Sequence, residues 1–200
     1  MKKPTKSNTY TSKTTFLSLG GDSVLDFCNT LVFHGDKKED RLNSASDARH
    51  FWHDFFDTES QFTPKQFSEL LSVRAELREA LKCIVDKSGD EDCLADLNEM
   101  LKKHQFIFKI EMKNGNTKTF KSAVQSVHED PMAPFIVELH RFLNELDETR
   151  LKKCNNPNCS HFFYDRSKNN LRAWCSMKTC GNIMKARAFH LRKKTEVEKD

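Results

Sequence analysis

The sequence predicts an α+β protein: a mainly helical body carrying one β-hairpin, followed by a small module built on cysteines. Three observations lead there. Apolar residues recur at helical spacing through most of residues 16–148. The stretch Gln105–Val124 instead alternates apolar and polar residues about Asn114-Gly115, the strongest short-range hairpin signal. Beyond Thr149, four cysteines stand in two pairs of equal spacing, Cys154/Cys159 and Cys175/Cys180.

Each element follows in order. Residues 1–15 are basic and polar, with no apolar run after the lysines, so they read as a disordered arm and not as a secretory signal. In FLSLGGDSVLDFCNTLVF, a Gly-Gly break precedes an apolar run over Val24–Phe33, which predicts a helix starting near Asp22 or Ser23. GDKKEDRLNSAS reads as a loop. Ser46 is placed to cap a helix carrying Ala48, Phe51, Trp52 and Phe55 on one side. Thr63, Pro64 and Gln66 form a capping-box start. The helix that follows buries Phe67, Leu70, Leu71, Leu77, Leu81 and Ile84 and stops at Gly89. DEDCLADLNEMLKK is a further helix, with acids at its start and lysines at its end, as the helix dipole favours. After the hairpin, Pro131 and Pro134 open a last body helix through Phe135, Ile136, Leu139, Phe142, Leu143 and Leu146. The division is therefore an arm at 1–15, a body at 16–148 and the cysteine module at 149–200.

Charge separates the two ends. Residues 150–200 hold 13 Lys+Arg against 4 Asp+Glu, a net +9, whereas the other 149 residues hold 20 against 25, a net −5. A basic module on a slightly acidic body points to a nucleic-acid-facing part attached to something else. No run approaches the roughly 18–20 apolar residues of a membrane span. The expectation is a cytoplasmic chain without membrane association. In that reducing setting, close cysteine pairs are more often metal ligands than disulfides.

The cysteines follow C-x4-C-x15-C-x4-C. Zinc takes four tetrahedral donors, and thiolates neutralise its charge. Asn155, Asn156 and Pro157 suit the first pair to a tight turn. Phe162–Tyr164 read as a strand, Asp165–Asn170 as a polar turn, and Leu171–Trp174 as the return to the third cysteine. From Cys180 the chain goes on with helical character. Knuckle, hairpin and helix together make a treble-clef-like zinc site with ligands Cys154, Cys159, Cys175 and Cys180. The alternatives are free core thiols or a disulfide pair. Four thiolates leave zinc no open position, so the metal is structural. Cys28, Cys83 and Cys93 are solitary in apolar patterns and read as small buried hydrophobes.

Around these ligands lie Arg166, Lys168, Arg172, Lys178, Lys185, Arg187, Arg192, Lys193 and Lys194, the candidate phosphate contacts, with His190 among them. The other reading is a solvated charged helix. In the 3.6 period, Ile183 falls with Ala186 and His190 on what reads as an inner side.

The segment CNNPNCSHFFYDRSKNNLRAWCSMKTCGNIMKARAFHLRKK resembles the CGNR-type zinc finger. The upstream GGDSVLDFCNTL and DRLNSASDARHFW resemble the start of the ABATE domain that precedes that finger. The resemblance covers nearly the whole chain after the arm. It implies a bacterial, stress-associated transcriptional regulator that binds DNA through the finger, with the same four cysteines as ligands. One position departs from the motif: the namesake arginine is Ile183, giving CGNI.

A regulator couples DNA binding to a signal, so the body is a candidate for a small-molecule effector site or a homodimer contact. Asp26 and Asn29, three apart in an apolar run, and the pair Arg74 and Arg78 on the long helix are the candidate ligand-binding residues. The plainer reading of the four is capping and solvated charge. No Ser/His/Asp order, phosphate-binding Gly loop or His-Glu metal motif is present, so the chain is expected not to be an enzyme. Two further readings stay open. One is a ligand-binding body whose zinc module only stabilises or dimerises. The other is an RNA-binding protein using Phe162, Phe163 and Tyr164 to stack bases.

Overall fold

The computed structural model describes residues 16–87, 94–103, 106–113, 116–123 and 130–197. The expected arm, the helix stop at Gly89, Cys93 and the Asn114-Gly115 turn lie outside these residues.

The body starts with α1 (Ser23–Cys28), capped by the Asp22 carboxylate, which accepts from the Val24 N–H. A methyl group on Gly20 would sit 2.6 Å from Leu25 Cβ, so the chain crosses the start of α1 at glycine. The apolar run does not stay helical through Phe33, because α1 ends at Asn29 and β1 (Leu31–His34) begins. Gly35, at φ +62°, turns β1 back into β2 (Lys37–Asp40), with Val32 opposite Glu39. The stretch expected to be a loop thus supplies a strand. The next helix, α2 (Ala45–Phe56), is capped by Ser44, not Ser46; the Ser44 hydroxyl accepts from the Asp47 N–H at 3.2 Å. Two serines precede the same stripe, and the first takes the extended backbone of a cap.

The long helix α3 (Pro64–Asp86) begins with the full Thr63–Gln66 capping box and ends on Lys87 in the left-handed conformation. It buries Leu70, Val73, Arg74, Leu77, Ala80 and Leu81, while Phe67, Leu71 and Ile84 are half-buried at its edge. Then come α4 (Ala95–Leu101), the hairpin strands β3 (Phe106–Lys113) and β4 (Asn116–Ala123), and α5 (Ala133–Asn144). The two strands pair antiparallel from Phe106 opposite Ala123 to Lys113 opposite Asn116. In α5, Phe135, Ile136, Leu139 and Phe142 are buried and Leu143 is exposed.

Aromatic rings dominate the core. Phe27, Phe51, Trp52 and Phe135 are fully buried, with Phe27 and Phe135 centroids 4.6 Å apart. Trp52 donates its indole N–H to Pro131 O, tying α2 to the start of α5. Arg141 on α5 reaches Asp22 at 2.8 Å and fastens α5 to the cap of α1.

A single-turn 3-10 helix, Glu148–Arg150, leads into β5 (Leu151–Lys153), which pairs antiparallel with β6 (Phe162–Tyr164). The partner of β6 is therefore β5, not Leu171–Trp174, and the first cysteine pair forms the connection between them. Leu151 and Phe162 belong to the core of the body, while Phe163, on the opposite face of β6, packs among the four cysteines. After a wide π-type turn at Met177–Gly181, α6 (Asn182–Val197) completes the chain.

Candidate metal centre and basic helix

The two cysteine pairs meet in space. Cys154 follows β5, Cys159 precedes β6, Cys175 ends the loop after β6, and Cys180 lies in the turn before α6. All four are buried, and their sulfurs lie within 4.8 Å of one another. Cys159 and Cys175 Sγ are 3.8 Å apart, and Cys175 and Cys180 Sγ are 3.7 Å apart. A tetrahedron of sulfurs about 2.3 Å from a central ion has edges of about 3.8 Å, so the arrangement fits a four-thiolate metal site.

Outer donors complete it. Asn156 Nδ2 donates to Cys180 Sγ at 3.3 Å, and the Cys175 N–H points at Cys154 Sγ at 3.5 Å. His161 Nδ1 is 3.3 Å from Cys159 Sγ. Burial lowers the His161 pKa to about 4, with His34 adding to the effect, so the ring stands neutral beside the sulfur. Such N–H···S contacts orient thiolate ligands. A methyl on Gly181 would lie 2.5 Å from Met177 Sδ and 3.2 Å from Trp174 Cδ1, so a larger residue directly after the last cysteine would have to push the Met177 side chain aside. Cys28 lies apart in the body core, where burial pushes its thiol up to about 12. Cys83 is half-buried on α3.

The module is clamped to the body along the free edge of β6. Asn29 donates Nδ2–H to Phe162 O at 2.8 Å and accepts the Phe162 N–H at 2.9 Å. The Tyr164 N–H donates to Gly20 O at 2.7 Å. Ser160 joins the contact twice, since its N–H donates to Phe33 O and its hydroxyl accepts the Phe33 N–H. Arg78 bridges Cys28 O at 2.6 Å and Ser160 Oγ at 3.2 Å.

The four polar residues singled out as a candidate ligand site thus have partners within the chain. Asn29 and Arg78 brace the finger. Arg74 holds Asp40 through two bonds of 2.8 and 2.7 Å and also donates to Thr30 Oγ1. Asp26 accepts from Gly20 N at 2.7 Å and Ser18 Oγ at 2.9 Å. The sequence signal, polar residues inside apolar runs, marks buried brackets here. Nothing local in the sequence distinguishes their partners Asp40 and Ser160, and Phe162 enters through its backbone, which no side-chain pattern announces.

The basic residues divide by environment. Arg166, Lys168, Lys178, Lys185, Arg187, Arg192, Lys193 and Lys194 are exposed, as is His190. Arg172 is half-buried and committed: it donates to Trp174 O at 2.9 Å, Leu19 O at 3.1 Å and Cys175 O, and stacks on Phe163 with its guanidinium carbon 4.4 Å from the ring centroid. Arg166 is partly engaged with Gly21 O and the Tyr164 ring. Every residue from Lys185 to Lys194 is exposed. Ile183 is 57% exposed, so the inner side expected for it is overturned; α6 runs outward from the cysteine centre instead of packing back on it. Phe162 and Phe163 are buried, which leaves no run of exposed aromatics on β6 for stacking bases.

Fold and site together define a two-part protein: a helical body holding a four-cysteine finger that projects a basic helix. The family comparisons agree with that division. A model described as "Putative stress-induced transcription regulator", ABATE, matches residues 21–133, and the CGNR zinc finger matches residues 150–193. The chain belongs to the ABATE family. A search of curated proteins finds no match.

Proposed function

We propose that this protein is a DNA-binding transcription regulator in which zinc, held by Cys154, Cys159, Cys175 and Cys180, fixes the finger that presents α6 to the phosphate backbone. The observation that carries the reading is one of charge. From Arg166 to Thr195 there are nine Lys+Arg and no Asp or Glu, and eight of the nine are exposed. Such a surface favours a polyanion and repels cationic partners. The metal serves as a clamp that sets the start of α6, and the protein acts as a binder, not a catalyst. The body's part is to hold the finger through Asn29, Gly20 and Arg78.

Arg172 supports this reading as a brace, which leaves Lys168, Lys178, Lys185 and Arg187 as the phosphate contacts nearest the metal. Burial of Phe162 and Phe163 favours DNA over single-stranded RNA. Fluorescence anisotropy with a duplex DNA and a single-stranded RNA of equal length tests it. Tighter binding to the duplex is expected. Preference for the RNA, or binding to neither, contradicts it.

A further inference from the structure

The loop between β6 and the third cysteine is built more firmly than a surface turn requires. Its hub is Asp165, fully buried, which accepts from Lys152 Nζ at 2.7 Å, the Arg172 N–H at 2.8 Å and the Ser167 N–H at 2.9 Å. Lys152 Nζ also donates to Asn170 O at 2.7 Å, and Arg150 donates to the Asp165 and Ser167 carbonyls. Burial acts to raise the Asp165 carboxyl, but Lys152 and the two N–H groups outweigh it and hold it well below the usual range. Asn170 adopts the left-handed conformation at φ +51° and donates to Thr149 O at 3.1 Å.

What this frame presents to solvent is a leucine. Leu171 is 79% exposed, the most exposed large apolar side chain among the described residues. Across from it stands Met177, 49% exposed. With Trp174 and Ala173, the two line a cleft of about 670 Å³ whose rim carries Lys168. Lys178 follows Met177 in the turn before α6, and both lysines are exposed. An exposed leucine on a braced loop, flanked by exposed lysines, matches a partner that sets charged backbone beside apolar stacked faces. A nucleic-acid duplex has that chemistry: phosphates outside, base planes within.

We infer that Leu171, projecting from one wall of this cleft with Met177 on the other, is an apolar wedge that enters the base stack of the bound duplex and bends it, while α6 and the flanking lysines hold the phosphates. This rests on the DNA-binding reading above. The flexible pyrimidine–purine steps, which unstack most readily, are the preferred point of entry.

The test uses the full chain and a duplex of roughly 30 base pairs with a central TA step, labelled at both ends for energy transfer. Wild type is expected to shorten the end-to-end distance on binding. Leu171→Ala, and Leu171→Ala with Met177→Ala, are expected to leave the salt dependence of binding unchanged, because no phosphate contact is lost. Affinity should fall on the order of tenfold, as for loss of one buried leucine contact, and the bend should diminish or vanish. Leu171→Ala alone removes an exposed side chain, so its effect is read without a folding defect. Binding by wild type without bending, or equal bending by the variants, overturns the wedge and leaves the DNA reading standing. A wild type that ignores the duplex and binds anionic phospholipid vesicles overturns both.

Discussion

Asn29→Ala is the substitution that most sharply tests how body and finger hold together. Asn29 is 5% exposed and makes both of its side-chain hydrogen bonds to one residue, Phe162, 133 positions away. Alanine would leave the N–H and C=O of Phe162 without partners inside the protein. A buried polar group left unsatisfied costs about 1–3 kcal/mol, so two give about 2–6 kcal/mol, with the lower half applying if water reaches the gap. Against a total stability of about 5–15 kcal/mol, that is a large share. Leu151 and Phe162 lie in the same core as Phe27 and Trp52, so the loss should not stay local. Urea unfolding followed by far-ultraviolet circular dichroism reads the helical body, and a chromogenic chelator reads metal release from the finger. Both midpoints are expected to fall together. A fall in the metal-release midpoint with an unchanged body transition would refute the single-unit argument, as would no change in either.

Other outcomes follow from the same contacts. Cys159→Ser should abolish stoichiometric metal binding and also lower the melting temperature of the helical body, read by thermal circular dichroism, because β6 supplies Phe162 to the body core. For the same reason a chain ending at Glu148 should lose cooperative unfolding, checked by calorimetry. Ile183→Arg, at an exposed position, should raise duplex affinity without altering the melting temperature; a lowered melting temperature would mean that Ile183 is packed after all. Burial pushes Asp26 from 3.8 to about 6, so the folded state binds the extra proton between those values. Its contribution to stability is therefore present below about pH 4 and lost as pH rises through 6, a difference on the order of 3 kcal/mol. Asp26→Asn should flatten that segment of the stability–pH curve, measured by urea midpoints across the range.

Much of this organisation is legible in the sequence where the signal is local. Thr63, Pro64 and Gln66 mark the start of α3 because a capping box is complete within four residues. The alternation of apolar and polar residues over Phe106–Ala123 likewise marks the antiparallel strands β3 and β4. The cysteine pairs announce their meeting by spacing alone. Legibility fails where a neighbour decides. Leu31–Phe33 resumes the apolar run of α1 after only Asn29 and Thr30, and pairing with the polar strand Lys37–Asp40 makes Leu31–His34 a strand. β5 is three residues long, two of them lysines, and nothing in Leu151–Lys153 alone names Phe162–Tyr164 as its partner. Ile183 shares helical spacing with Ala186 and His190, but spacing shows that residues share a face, not what that face meets; here it meets solvent. Arg172 is basic in sequence and a brace in structure, because three backbone carbonyls converge on it.

The most direct measurement combines metal content with DNA binding in one titration. Purified protein, assayed for zinc and bound to a fluorescent duplex, is treated stepwise with a chelator while anisotropy and released zinc are recorded together. The account predicts about one zinc per chain, as a single four-thiolate site requires, with anisotropy falling in proportion to the zinc released. Full duplex binding by the metal-free chain would contradict it.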